Sequence, residues 1–254
     1  MQRKEFIKGL GLAGLSVSSL LLMGSCSSDN SDSVYDDESD TDSSTDDSSN
    51  TDTASSDCQV TPSETEGPFP TKNPEDYERV NIVGDRTGIS LDMDITIRNV
   101  NNECNALTGA FVDIWHCDKD GNYSEYGGSG MQPTNYVNNH FLRGRQISNS
   151  EGLVEFTSIF PGWYNGRSTH IHVHVYDEEG SSLLVTQIAF PEGENSAVVR
   201  VNAASDQGYT KGMSGYTYHE RDNVFGDGVE EELANVSGSN SEGYTLTHDI
   251  YVKA

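Results

Sequence analysis

In LDMDITIR, residues 91 to 98, every second side chain is apolar: Leu91, Met93, Ile95 and Ile97 fall on one face. A period of two is the signature of a strand with one buried face, and a helix cannot satisfy it. The pattern returns in LVEFTSI (153–159), LLVTQIAF (183–190), AVVRV (197–201) and YTLTHDIYV (244–252). DKDGNY, NSEG and DEEG supply turn chemistry between them. No sustained helical period and no internal repeat appears from residue 58 onward. The expected fold is all-β: a β-sandwich of mostly antiparallel strands with long loops, spanning 58–254. The Gly-, Ser- and Asn-rich stretch 203–243 is expected to form long loops with room for one helical turn.

The first 57 residues cannot belong to such a core. Arg3, Lys4 and Lys8 precede an apolar run of 15 residues, 9 to 23, shorter than the roughly 20 a membrane span needs. The run ends in MGSC, which resembles a bacterial lipoprotein processing site with Cys26 as the lipidated residue. An ordinary cleaved signal peptide and a short anchor helix are the alternatives. RKEFIK, 3 to 8, weakly resembles a twin-arginine export signal, Lys4 standing for the second arginine. Residues 27–57 then hold eleven Asp and Glu and no Lys or Arg. Such a segment buries too little apolar surface to offset its ordering entropy and reads as a disordered acidic linker. The expectation is an exported lipoprotein whose only membrane contact is a lipid on Cys26. With Cys26 so used, Cys58 and Cys104 are the expected disulfide, and Cys117 is left as a free thiol.

The formal charge is −26, and no cluster of Lys and Arg offers a nucleic-acid surface. Chemistry is concentrated instead in PGWYNGRSTHIHVHV, 161 to 175, which holds three of the seven histidines. On a strand, His170, His172 and His174 share one face at about 7 Å spacing. Two of them can converge on one metal. A three-histidine zinc site and a hydrogen-bonded polar face are equally compatible with the spacing. Tyr164, presented by the Pro161-Gly162 turn, adds an oxygen donor suited to Fe(III).

Taken in order, TPSETEGPFP (61–70), GAFVDIWHCDKDGNYSEYG (109–127), FLRGRQISNSEGLVEFTSIFPGWYNGRSTHIHVHV (141–175) and LLVTQIAFPE (183–192) resemble the intradiol ring-cleavage dioxygenases. The resemblance implies a non-haem Fe(III) centre held by Tyr123, Tyr164, His170 and His172. It implies that Arg167 faces the substrate ring and stabilises anionic character there, with Gln187 beside it, and that Tyr164 is the ligand displaced by substrate. The implied reaction is cleavage of a catechol by O2 to a cis,cis-muconate-type diacid. The implied partners are a catecholic small molecule and O2, with no nucleic acid. His174 falls outside the motif and is expected behind the ligands or facing solvent. Tyr126, Tyr136 and Trp163 are candidates for lining a ring pocket, Trp115 and Phe156 for the core, and His116 has no assigned role. Arg143, Arg145 and Arg167 are candidates for offsetting the acidic domain near an anionic substrate. Only five residues separate Tyr164 from His170, so an open pocket is expected. A surface sandwich that binds catechols or metal without turnover is the alternative.

Overall fold

The computed structural model describes residues 58–128 and 130–254. Cys26 and the acidic linker therefore lie outside the described residues. The rest is all-β, as the alternation predicts. Strand β1 (Ser90–Asn99) pairs antiparallel with β5 (Leu153–Ile159) and, at its end, with the two-residue β2 (Asn105–Ala106). On its other side it pairs parallel with β9 (Gly243–Val252), which carries β8 (Asn235–Ser239). The second sheet is antiparallel throughout, in the order β4 (Arg143–Ile147), β3 (Phe111–Trp115), β6 (His170–Tyr176), β7 (Ser182–Ala189).

The core lies between the sheets. Leu91, Met93, Ile95 and Ile97 of β1 join Val154, Phe156, Leu246 and Ile250 in one buried cluster with Val112, Ile114, Ile171, Val173, Val175 and Ile188. Each such side chain contributes on the order of 1.5–3 kcal/mol by leaving water. The same alternation turns His170, His172 and His174 to the outer face of the second sheet. That face is buried too, because the loops after β3 and β5 and the segment around Phe69 fold over it. Every residue of β6 except Tyr176 is consequently buried. The Cys58–Cys104 bridge forms as expected, with Cα atoms 6.1 Å apart, and Cys117 is buried and free.

Two local expectations are corrected. AVVRV is not a strand: Ala197–Asn202 forms a short helix, α1. The Ser196 hydroxyl accepts a hydrogen bond from the Val199 N–H and caps it, and Val198 and Val201 share its buried side. Four apolar residues around Arg200 are too few to fix a period, and the cap decides. Strand β8 arises inside a stretch expected to be loop. Its residues are largely exposed, so it has no apolar alternation to read.

His116, unassigned from sequence, is fully buried. Its ring bridges the Cys117 carbonyl (2.8 Å) and the Ser158 hydroxyl (2.7 Å). Burial lowers its pKa to about 4, from an ordinary value of 6.5. Between these values the unfolded chain binds a proton that the native state refuses. The contribution is therefore complete above pH 6.5 and is lost as pH falls to about 4, a change of about 3 kcal/mol. Denaturant titrations at pH 7 and pH 4.5 should show stability falling with pH, and His116→Gln should make that fall smaller. An equally steep slope in the variant would assign the loss to other groups.

Candidate active site

Two loops bring the tyrosines together. After β3, the buried Asp118 carboxylate accepts from the N–H groups of Asp120 (3.0 Å) and Asn122 (2.9 Å), closing a tight turn ahead of Tyr123. Gln132 pins Tyr123 by its main chain, accepting from its N–H at 2.6 Å and donating to its carbonyl at 2.8 Å. After β5, Gly162 donates its N–H to the Asp118 carbonyl at 3.2 Å. The two backbones touch here. A Cβ on Gly162 would lie 2.3 Å from the Lys119 oxygen, and one on Gly121, whose φ is 87°, would lie 2.3 Å from the Trp163 oxygen. Gly162→Ala should therefore push the loops apart, costing about 1–3 kcal/mol. It should also reduce metal retention more than a surface Gly→Ala such as Gly180→Ala. Unchanged melting temperature and metal content in Gly162→Ala would refute this account of loop contact.

Four donor atoms converge where the loops meet β6. His170 Nε2 lies 3.2 Å from His172 Nε2, 3.3 Å from the Tyr123 hydroxyl and 3.5 Å from the Tyr164 hydroxyl. His170 Nδ1 is 2.7 Å from the Ser168 carbonyl, which only accepts, so Nδ1 carries the proton and Nε2 offers its lone pair to the cluster. The His172 ring stacks on Trp115 with centroids 4.9 Å apart, and Gly67 covers it. Tyr123 is wholly buried and stacks on Phe69 at 4.9 Å. Tyr164 is partly exposed and lines a cleft of about 370 Å³ together with Thr65, Pro68, Met131, Arg167 and Val224.

Arg167 reaches the cluster from above, its Nη1 3.4 Å from His170 Nε2. Its Nη2 donates to the Gln187 side-chain oxygen at 2.6 Å, so the two implied helpers are in contact. The cross-strand register places Gln187 opposite His172. His174 stands apart: it bonds Ser182 (2.7 Å) and Tyr176 (2.8 Å) and pairs with Glu66 (3.2 Å). The three-histidine alternative is therefore not assembled.

Several sequence candidates are placed elsewhere. Trp163 belongs to the core and donates to the Gly212 carbonyl, because the chain turns inward after Gly162. Tyr136 packs edge-on against Phe141, and Tyr126 donates to the Pro70 carbonyl at 2.7 Å; neither lines the cleft. Arg143 is buried and bound to Ser124 and the Phe69 carbonyl, and Arg145 is paired with Asp113. Only Arg167 of the three arginines reaches the cleft. Trp115 and Phe156 are buried as expected. The sequence reading missed Phe69, Gln132 and Asp222. The first sits in the quoted GPFP motif, whereas the other two carry no local signal.

The donor set fits a ferric ion. Among the described residues no cluster of three or more His, Cys, Asp and Glu is placed to hold a metal; phenols complete this one. Burial pushes both tyrosine pKa values up, Tyr123 well above its ordinary value. Burial, then the Arg167 charge, lowers His170 to about 3; burial, then His170, lowers His172 well below its usual range. Without a cation the four groups are neutral. Phenols whose pKa is raised by burial need a strong, hard Lewis acid to lose their protons, and Fe(III) is a stronger one than Zn(II).

This all-β sandwich matches a family model described as dioxygenase (Dioxygenase_C) over residues 66–213. The chain belongs to the intradiol ring-cleavage dioxygenase family. An intradiol ring-cleavage dioxygenase from Tetranychus urticae superposes with a TM-score of 0.67 at 29% identity, covering 77% of this chain and 95% of that one. A chlorocatechol 1,2-dioxygenase of Rhodococcus opacus is 34% identical over 107 residues, 35% of this chain. The match spans only 38% of that curated relative. The 3-chlorocatechol 1,2-dioxygenase of Rhodococcus opacus 1CP shares the fold, with a TM-score of 0.52, 18% identity, and coverage of 76% of this chain and 72% of that one.

Proposed function

We propose that the chain is a non-haem Fe(III) enzyme that cleaves a catechol with O2 between its two hydroxyl-bearing carbons. Both oxygen atoms enter the product, a cis,cis-muconate-type diacid. The observation that carries this reading is the convergence of the Tyr123 and Tyr164 oxygens with the His170 and His172 Nε2 atoms. Ferric iron held there would draw electron density from a bound catecholate, making the ring itself reactive towards O2. The protein's own groups then divide the work. Tyr123, buried and pinned by Gln132, stays in place. Tyr164 lines the cleft; on this reading it would give way to substrate and its phenolate oxygen would take up one catechol proton. Arg167 stabilises negative charge as it builds on the ring, in a site screened from water by Trp115 and Phe69. Gln187 holds the guanidinium and is itself tied to the Thr65 carbonyl.

The test is oxygen uptake by iron-replete protein across a panel of catechols. One O2 consumed per catechol, with a muconate-type product, is expected. No uptake with any member of the panel would leave a binding protein without turnover. Location forms part of the same proposal: the basic start, the short apolar run, Cys26 and the acidic linker suit a lipid-anchored protein oxidising aromatic compounds outside the cytoplasm. Cys26→Ala, expressed in the native host, should release the protein from membranes. A variant that stays bound after a salt wash would rule out a lipid on Cys26 as the anchor.

A further inference from the structure

We infer that Asp222 is a positioning residue for Arg167, and that it sets the direction in which the guanidinium faces the reacting ring. The inference rests on the dioxygenase reading above. Asp222 lies beyond residues 66–213 matched by the family model, in a stretch that has no readable period. It is 2% exposed, and its two oxygens receive donors from three directions. Oδ1 accepts from Arg167 Nε at 2.9 Å and from the Val224 N–H at 2.9 Å. Oδ2 accepts from Arg167 Nε at 3.0 Å, from the Ser168 N–H at 2.7 Å and from the Ser168 hydroxyl at 3.1 Å.

The consequence follows from counting the guanidinium's nitrogens. Nε is held by Asp222 and Nη2 by Gln187, so Nη1 is the nitrogen left facing the cluster, 3.4 Å from His170 Nε2. A free arginine samples many rotamers, and that freedom opposes any one placement of its charge. Held at both ends, its charge is already in place when negative charge develops on the ring. Asp222 also offsets the positive charge of Arg167, which would otherwise oppose a cation beside it. An asparagine keeps the shape and loses the function: its NH2 would face N–H donors that need an acceptor.

The experiment uses Asp222→Asn, Arg167→Ala and the double variant, each with iron content, melting temperature and kinetics measured. Asp222→Asn is expected to lower kcat by roughly 10- to 100-fold, with KM changed by less than about threefold and iron retained. In the Arg167→Ala background the same change should cost less than about twofold, because a residue acting through Arg167 has nothing left to act on. Losses that multiply in the double variant, or wild-type kcat in iron-replete Asp222→Asn, would overturn the inference. A second readout needs neither turnover nor metal. In 15N-arginine spectra of wild-type protein, the Arg167 Nε–H, assigned by its absence in Arg167→Ala, should exchange slowly with solvent. Exchange as fast as that of an exposed arginine would overturn the clamp even if Asp222→Asn fails to fold. Should the wild type prove inert towards catechols, the functional reading falls, and this exchange rate alone decides whether Asp222 holds Arg167.

Discussion

Iron-loaded protein is expected to be coloured, with close to one iron per chain, and the two tyrosines are expected to contribute differently to that colour. Tyrosinate bound to Fe(III) absorbs visible light, whereas a zinc site is colourless. Tyr123 is wholly buried, stacked on Phe69 and pinned by Gln132, while Tyr164 lines the cleft. Tyr123→Phe should therefore change the spectrum of the catechol complex, and Tyr164→Phe mainly that of the resting protein. His170→Ala or His172→Ala should remove most bound metal, because each deletes one of four convergent donors. Activity should fall with the metal, by a factor on the order of 10³ or more, since the residual protein has nothing to polarise the catechol. Colourless wild-type protein with stoichiometric zinc would end the iron assignment. Indistinguishable spectra of the two phenylalanine variants, in both resting and catechol-bound forms, would end the division of roles.

Arg167→Ala should keep iron and lose turnover. The side chain is 7% exposed and its Nη1 approaches the cluster, so in the proposed reaction it would act on charge that grows on the ring. Its loss should fall mainly on kcat, by about 10²-fold or more, as for other electrostatic stabilisers. Removing it also strands the Asp222 carboxylate, a buried charge whose partner is worth about 3–5 kcal/mol when one side of a pair is deleted. Melting temperature should therefore drop as well, and the two effects separate on adding guanidinium ion, which should restore part of kcat. An iron-replete variant with near-normal kcat would reduce Arg167 to a structural ion pair.

The parts of the site that were readable are those encoded within a few residues. His170 and His172 share a strand face because side chains alternate, and Tyr164 follows a Pro-Gly turn. The arginine and glutamine came from motif resemblance, and the structure brings them within 2.6 Å of each other. Reading failed where a residue's neighbours come from far along the chain. Trp163 sits in the motif yet turns into the core, and Arg143 and Arg145 are bound to Ser124 and Asp113 rather than facing the cleft. AVVRV reads as strand because four apolar residues around Arg200 are too few to fix a period until Ser196 caps a helix.

By itself, then, the sequence determined the all-β class, the face that alternating strands such as β1 bury, and the residue types available to hold a metal. Periodicity and turn chemistry are local properties, and an alternating strand carries its own record of which side meets the core. The tertiary structure alone decided that β1 pairs in parallel with β9, about 150 residues later in the chain. It also decided that the Tyr123 and Tyr164 loops touch at Gly121 and Gly162, and that Asp222 holds Arg167. These contacts depend on loop closure and on the packing of distant backbones. No stretch of sequence records them, because each half of the contact carries no local sign of the other.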